Sequence, residues 1–398
     1  MVTHKTQSDL GFDPARLDRI GSWMEHHVEE RRLAGLSVQI SRKGMVAFCE
    51  HRGLRDIANN AAVKPDTVWR IYSMTKPITT VAALMLYEQG AFQLDQPVAD
   101  FLPGFGGAGV WCGPGRALGD TVPLARPVTI HDLMTHQSGL VYGDPNGNAL
   151  EKACSAAGLD FDVPGDTMAS AVARLSELPL AFQPGARWFY GLSTDVLGHL
   201  VEVISGQPLS VFLKTRIFDP LGMTDTGFDV PAALRPRFAA LYEPGLTEVS
   251  GKYDAPSPVI LESGGGGLVS TLSDYQRFAD LLLARGQYPG GHLLGRKTVD
   301  LMVSNHMGGD LAARGQAHFS ETTMHGIGFG LGVSVMIDPA KALILGSAGE
   351  FAWGGMASTA FWVDPVEEMT VILMTQLVPS SHFALRRQLR VLSYQALV

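Results

Sequence analysis

The chain has 398 residues, 46% hydrophobic and 18% charged, with a formal net charge of −8. That length exceeds one ordinary domain and favours two or three units, or one large fold with an insertion. The acidic balance, without lysine- or arginine-rich runs, argues against non-specific binding to nucleic acid or anionic membranes.

Asp13-Pro14 reads as the cap and first residue of a helix, with Leu17, Ile20, Trp23, Met24 and Val28 following at helical spacing. His26 and His27, adjacent on that helix, are expected at the surface. After Gly35, the alternation of Leu36, Val38 and Ile40 predicts a strand with one buried face. Arg42-Lys43-Gly44 then turns into a second strand around Met45–Cys49. Residues 91 to 230 carry more helical patterns and longer connections, with helices expected over Thr194–Ile204 and Leu209–Ile217.

Past the glycine run at 264–267, Ser273-Asp-Tyr-Gln276 reads as a capping box opening a helix over Asp274–Leu283. His325–Val335 is a glycine-rich strand candidate. Ser358–Asp364 and Met369–Leu377 read as strands, and His382–Ala396 as a closing helix. Strand pairs at both ends predict an α+β fold, one antiparallel sheet flanked by helices with an inserted helical domain. The expected division is 1–90 with 231–398 as the sheet domain and 91–230 as the helical domain, with the active site between them.

The opening nine residues lack the apolar core of a secretory signal, and no apolar run is long enough to span a membrane. Cys49, Cys112 and Cys154 have no CxxC spacing, which suits reduced thiols. A cytoplasmic location is expected. No HExxH or clustered Cys/His set appears, so neither a metal nor a cofactor is expected. No Gly-x-Ser-x-Gly pentapeptide occurs. His136 and His325 are isolated histidines of the kind that usually serve structure.

Ser73 and Lys76, three residues apart, share one face of a helix. A serine hydroxyl is a poor nucleophile until a neighbouring base takes its proton, and a lysine one turn away in a dry pocket is a candidate base. Ser73 would sit at a helix N-terminus, where free N–H groups favour developing negative charge.

Ser73-Met-Thr-Lys76 resembles the Ser-x-x-Lys motif of serine β-lactamases and penicillin-binding proteins, and more closely the class C β-lactamase-like esterases, the family VIII carboxylesterases. Gly90–Pro103, Val128–Leu140, Pro184–Tyr190, Pro220–Met223 and Gly264–Thr271 fit the same family in order. The resemblance implies a β-lactamase/transpeptidase-like fold and a serine esterase acting on short-acyl esters. It makes Tyr190 the proton shuttle of a Tyr-x-Asn motif whose asparagine is here Leu192. It places Trp353-Gly354-Gly355 where relatives carry Lys-Thr-Gly, and gives the oxyanion hole to the backbone N–H groups of Ser73 and Met356. Tyr142 and Asp195 border the expected pocket, Asp195 also as a first-turn acid of its helix. With an apolar wall in place of the lysine and asparagine, neutral esters are favoured over anionic β-lactams. The expected partner is a small-molecule ester, and the oligomeric state is left open. β-Lactamase or D,D-peptidase activity, acyl transfer to an alcohol and a non-enzymatic binding module are the alternatives.

Overall fold

The Asp13 side chain accepts the Arg16 N–H and starts helix α1, Pro14–Glu29, whose Leu17, Ile20 and Met24 face inward. The computed structural model describes residues 6–159, 165–254 and 258–398; the first five of the residues read for a leader lie outside it. Strand β1, Gly35–Arg42, turns at Lys43 and Gly44, both at positive φ, into β2, Met45–Asp56, and then β3, Ala61–Ala62. The second strand runs well beyond the expected Cys49 because it continues pairing past the end of β1, against β3. In β1, Ser37, Gln39 and Ser41 are buried as well as the apolar set. The expected single buried face is therefore corrected to two, since packed layers cover the sheet on both sides.

Helix α2, Thr75–Glu88, is apolar nearly all round and buried along almost its whole length. It packs against α3, Ser193–Ser205. The expected Leu209–Ile217 helix runs Leu209–Leu213, widens into a π turn at Lys214–Phe218 and ends at Leu221. Helix α4, Leu272–Leu283, is capped by Thr271, whose hydroxyl accepts the Asp274 N–H. Ser273 is not the cap; the helix starts earlier because Thr271 is the last extended residue.

The remaining strands are β4, Ile327–Phe329, β5, Ser334–Met336, β6, Phe351–Gly354, β7, Ala360–Asp364, and β8, Met369–Thr375. The single strand expected over 325–335 is thus a hairpin. It folds back at Gly330–Val333, where Gly332 has φ +76° and the Gly330 N–H donates to the Val333 carbonyl. Helix α5, Leu385–Tyr394, closes the chain.

The sheet order is β4-β5-β6-β7-β8-β1-β2-β3, antiparallel throughout. Helices α1 and α5 cover one face, over Val38, Trp362, Val371 and Leu373. His27 is buried in this layer against Gln388 and Phe383, a correction to its expected surface position. Phe361, Val363, Ile372 and Met374 face the other way into a cluster with α2, α3 and α4. The site lies on this second side. Among the described residues no single helix is long and apolar enough to cross a membrane. A bent pair, Ser193–Ser205 with Leu209–Leu221, passes by composition only, and its apolar residues are mostly core.

Candidate active site

Ser73 lies in a 3₁₀ turn, Tyr72–Met74, immediately before α2. Tyr72 has φ +43°, a left-handed conformation that costs a side-chain-bearing residue about 1–2 kcal/mol. Three hydrogen bonds, from Tyr275 and from both backbone groups of Leu268, hold this turn. The Tyr275 hydroxyl on α4 donates to the Met74 carbonyl at 2.9 Å, the Ile71 N–H to the Leu268 carbonyl at 3.2 Å, and the Leu268 N–H to Thr75 Oγ1 at 3.2 Å.

The Lys76 ammonium is fully buried. It donates to Ser73 Oγ at 3.2 Å, Tyr142 Oη at 3.0 Å and the Gly265 carbonyl at 2.6 Å. Three acceptors surround the buried nitrogen, so none of its hydrogen-bonding positions is left unmatched. The Gly265 carbonyl is itself placed by Asp195, which accepts the Gly265 N–H at 2.9 Å and the Ser263 hydroxyl at 2.6 Å. A Cβ at Gly265 would come within 2.3 Å of Asp195 Oδ2, so this approach requires glycine. Burial raises the Asp195 pKa and the nearby Lys76 charge opposes the rise. Asp195 thus works from behind Lys76, rather than on a pocket wall.

The Tyr190 hydroxyl donates to Ser73 Oγ at 2.7 Å, and Lys76 Nζ sits 4.6 Å from its ring centre. Gly191 brings this segment in: a Cβ there would lie 2.3 Å from the Leu140 carbonyl. The result sets the Tyr190 and Tyr142 rings 5.5 Å apart. Burial, then Tyr190 and Asp195, hold the Tyr142 pKa far above that of a free phenol, so it stays neutral. Tyr142, expected at the border, is a direct partner of the lysine.

Leu192, expected in the pocket, is fully buried in the core at the foot of α3 and offers no surface to a ligand. His136 packs its ring 4.8 Å from Tyr190, with its pKa driven well below the ordinary value by burial and then by Lys76. It is a neutral wall residue. His325 is exposed, at the hairpin's outer end.

On the opposite side, Trp353 lies 5.4 Å from the Tyr190 ring and is nearly buried. Phe319, on the short hairpin His318–Thr323, stacks on Trp353 at 5.6 Å and meets Tyr190 edge-on at 5.0 Å. Trp188 and Phe329 complete this aromatic wall. A Cβ on Gly355 would come within 2.3 Å of Thr359 Oγ1 and 2.4 Å of the Ile71 carbonyl. Glycine there lets the end of β6 press against the turn that carries Ser73. The Gly355 N–H is taken by the Thr359 carbonyl. Met356, the next residue, is partly exposed.

Among the described residues no group of three or more His, Cys, Asp or Glu is arranged to hold a metal. Two surface grooves lie elsewhere and include none of these residues: about 440 Å³ beside Leu343 and Val391, and about 500 Å³ beside Arg126 and His131.

Residues 20–395 match the family described as Beta-lactamase. Esterase EstB of Burkholderia gladioli is 32% identical over 387 residues, covering 91% of this chain and 90% of its own. Lovastatin esterase of Penicillium rubens is 31% identical over 326 residues, covering 75% and 77%. The solved structure of EstCE1, described as a hydrolase with promiscuous acyltransferase activity, superposes with a TM-score of 0.78 at 25% identity, covering 95% of this chain and 98% of that one.

Proposed function

Because the chain belongs to the beta-lactamase family, alongside esterases of the same fold, we propose that it is a cytoplasmic serine carboxylesterase that hydrolyses small, short-acyl esters through an acyl-enzyme on Ser73. The observation that carries this reading is the position of Ser73 Oγ within hydrogen-bond distance of both Lys76 Nζ and Tyr190 Oη. Nucleophile and base are in contact, and the base pair is oriented by Tyr142 and the Gly265 carbonyl.

The reactive form of the Lys76–Tyr190 pair is the one that has given up one of its protons, and Ser73 gives its own proton to that pair as Oγ bonds the ester carbonyl carbon. The carbonyl π electrons move onto oxygen, which the Ser73 and Met356 N–H groups stabilise. Each such donor contributes about 3–4 kcal/mol. Collapse breaks the C–O bond to the alcohol, which leaves with a proton from Tyr190. Water then gives a proton to the same pair as its oxygen bonds the acyl carbon; the acyl C–Oγ bond breaks, and the pair returns that proton to Ser73 Oγ as the carboxylic acid leaves.

Trp353 supports esters over β-lactams as substrates. An aromatic face at Trp353, where relatives carry a lysine, offers nothing to a β-lactam carboxylate at that position. The likeness to EstCE1 supports a second outcome for the acyl-enzyme, capture by an added alcohol in place of water.

The deciding experiment is a panel of nitrophenyl esters of increasing acyl length, with nitrocefin alongside, on wild type and Ser73→Ala. Wild type is expected to turn over the short esters best, and Ser73→Ala to lose at least about 10⁴-fold in kcat/KM with an unchanged melting temperature. Near-normal ester turnover by Ser73→Ala would remove Ser73 as the nucleophile. Nitrocefin turnover equal to that of the best ester would reassign the enzyme to β-lactams.

A further inference from the structure

Arg386 stands on α5, the helix on the far face of the sheet, yet its guanidinium reaches the site's strand edge. Nη2 donates to the Gly355 carbonyl at 2.8 Å and the Thr359 carbonyl at 3.1 Å, spanning the turn that joins β6 to β7. Nη1 lies 3.4 Å from Ser320 Oγ, and Nε 3.8 Å from Glu321 Oε1, outside hydrogen-bond reach. The side chain is 19% exposed. Gly354 is shaped around it and around the turn: a Cβ there would come within 2.6 Å of Arg386 Cζ and 2.8 Å of the Thr359 carbonyl.

The Gly355 carbonyl and the Met356 N–H belong to one peptide group. In a trans peptide the C=O and N–H point opposite ways across a rigid plane, so whatever fixes the oxygen fixes the direction of the hydrogen. A cation on the oxygen side also polarises the group and leaves its N–H more positive. Ser358 N–H, at 3.2 Å, is the second donor to that oxygen and comes from the turn itself. Arg386 is the anchor from outside the turn.

We propose that Arg386 is a positioning residue for ester hydrolysis, aiming and polarising the Gly355–Met356 peptide so that the Met356 N–H meets the oxyanion. This rests on the reading of Ser73 as nucleophile and Met356 N–H as oxyanion donor. Arg386 itself does not touch the substrate. The benefit appears only when negative charge develops on the carbonyl oxygen, so it belongs to kcat and to binding of oxyanion mimics. Ground-state ester binding is largely independent of it.

The test uses the full chain with Arg386→Met, Arg386→Lys, Gly354→Ala and the Gly354→Ala/Arg386→Met double variant. Readouts are kcat and KM for a short nitrophenyl ester, inhibition by a trifluoromethyl ketone, and melting temperature. Arg386→Met is expected to lower kcat on the order of tenfold, with KM within about twofold, and to weaken the ketone in proportion to kcat/KM. Arg386→Lys, which keeps a charge able to reach one carbonyl, is expected to recover part of the loss. Gly354→Ala, which crowds the guanidinium, is expected to reproduce the defect, and the double variant to add little to either single. A loss in melting temperature with kcat preserved, a rise confined to KM, or additive losses in the double variant would overturn the proposal. If Arg386→Met does not fold, Arg386→Gln takes its place, and a folded Arg386→Gln with wild-type kcat and ketone affinity overturns the proposal. Should Ser73→Ala keep its turnover, the underlying reading fails and this proposal with it; should Ser73→Ala be inactive while the arginine variants behave as wild type, this proposal alone fails.

Discussion

The two sides of the site are built differently. The α2 side works with side chains: Ser73, Lys76, Tyr142 and Tyr190 form a closed polar set around a buried ammonium. The β6 side offers the backbone around Gly355, and aromatic faces from Trp353 and Phe319. Chemistry that depends on residue type sits on one side, and chemistry that depends on how closely two chains can approach sits on the other. A motif identifies the first kind, whereas only packing reveals the second.

Substitutions can break that contrast. The largest effect after loss of Ser73 belongs to Tyr190→Phe, which removes one of the two groups on Ser73 Oγ while keeping the ring in its aromatic setting. Steady-state kinetics are expected to show kcat down about 10²–10⁴-fold with the fold intact; a drop below tenfold would leave Lys76 as the sole base. On the opposite side, Gly355→Ala adds one carbon where the Ile71 carbonyl stands 2.4 Å away. The strand must retreat from the nucleophile turn, with an expected loss in kcat on the order of 10²-fold. Unchanged kcat would mean that the strand edge takes no part in catalysis.

The smallest effect concerns His136, in the wall shared by both sides. Burial and Lys76 depress its pKa in the fold, so near pH 6 the unfolded chain takes up a proton that the folded chain refuses. Folding stability from this group is therefore lost as pH falls below about 6.5, by up to about 1.4 kcal/mol per pH unit. His136→Gln lacks that titration, so its stability deficit against wild type, measured by urea unfolding, should narrow between pH 7 and pH 5. A deficit constant over that range would show that the imidazole titrates alike folded and unfolded.

What could be read from the sequence follows the same divide. Ser73 and Lys76 were legible because their spacing on one helix face is local, and Tyr190 because it falls in an ordered series of family motifs. Trp353 through Met356 were placed by that resemblance alone. Phe319 and Arg386 were not legible: one is a lone aromatic in a polar stretch, the other one of a pair of arginines on a terminal helix, and only tertiary folding brings either to the site. Leu192 was misplaced for a related reason. As an apolar residue it turned into the core instead of the pocket. Of the fold, the terminal strands and α1 were legible from periodicity. The hairpin at 327–336 was read as one strand because its turn is built of glycines that also fit an extended run.

The pairing of β1 with β8 has a consequence for how the chain is made. The Thr375 hydroxyl donates to the Gly35 carbonyl across 340 residues of sequence. At translation rates of about 5–20 residues per second, β1 emerges roughly 20–70 s before the strand that completes it. Through that interval the β1–β2 hairpin has an open edge and an apolar face, Leu36, Val38 and Ile40, whose partners on β8 and α5 do not yet exist. An edge left open for that interval is a site for pairing with other chains, and slowing translation is expected to lower the soluble yield.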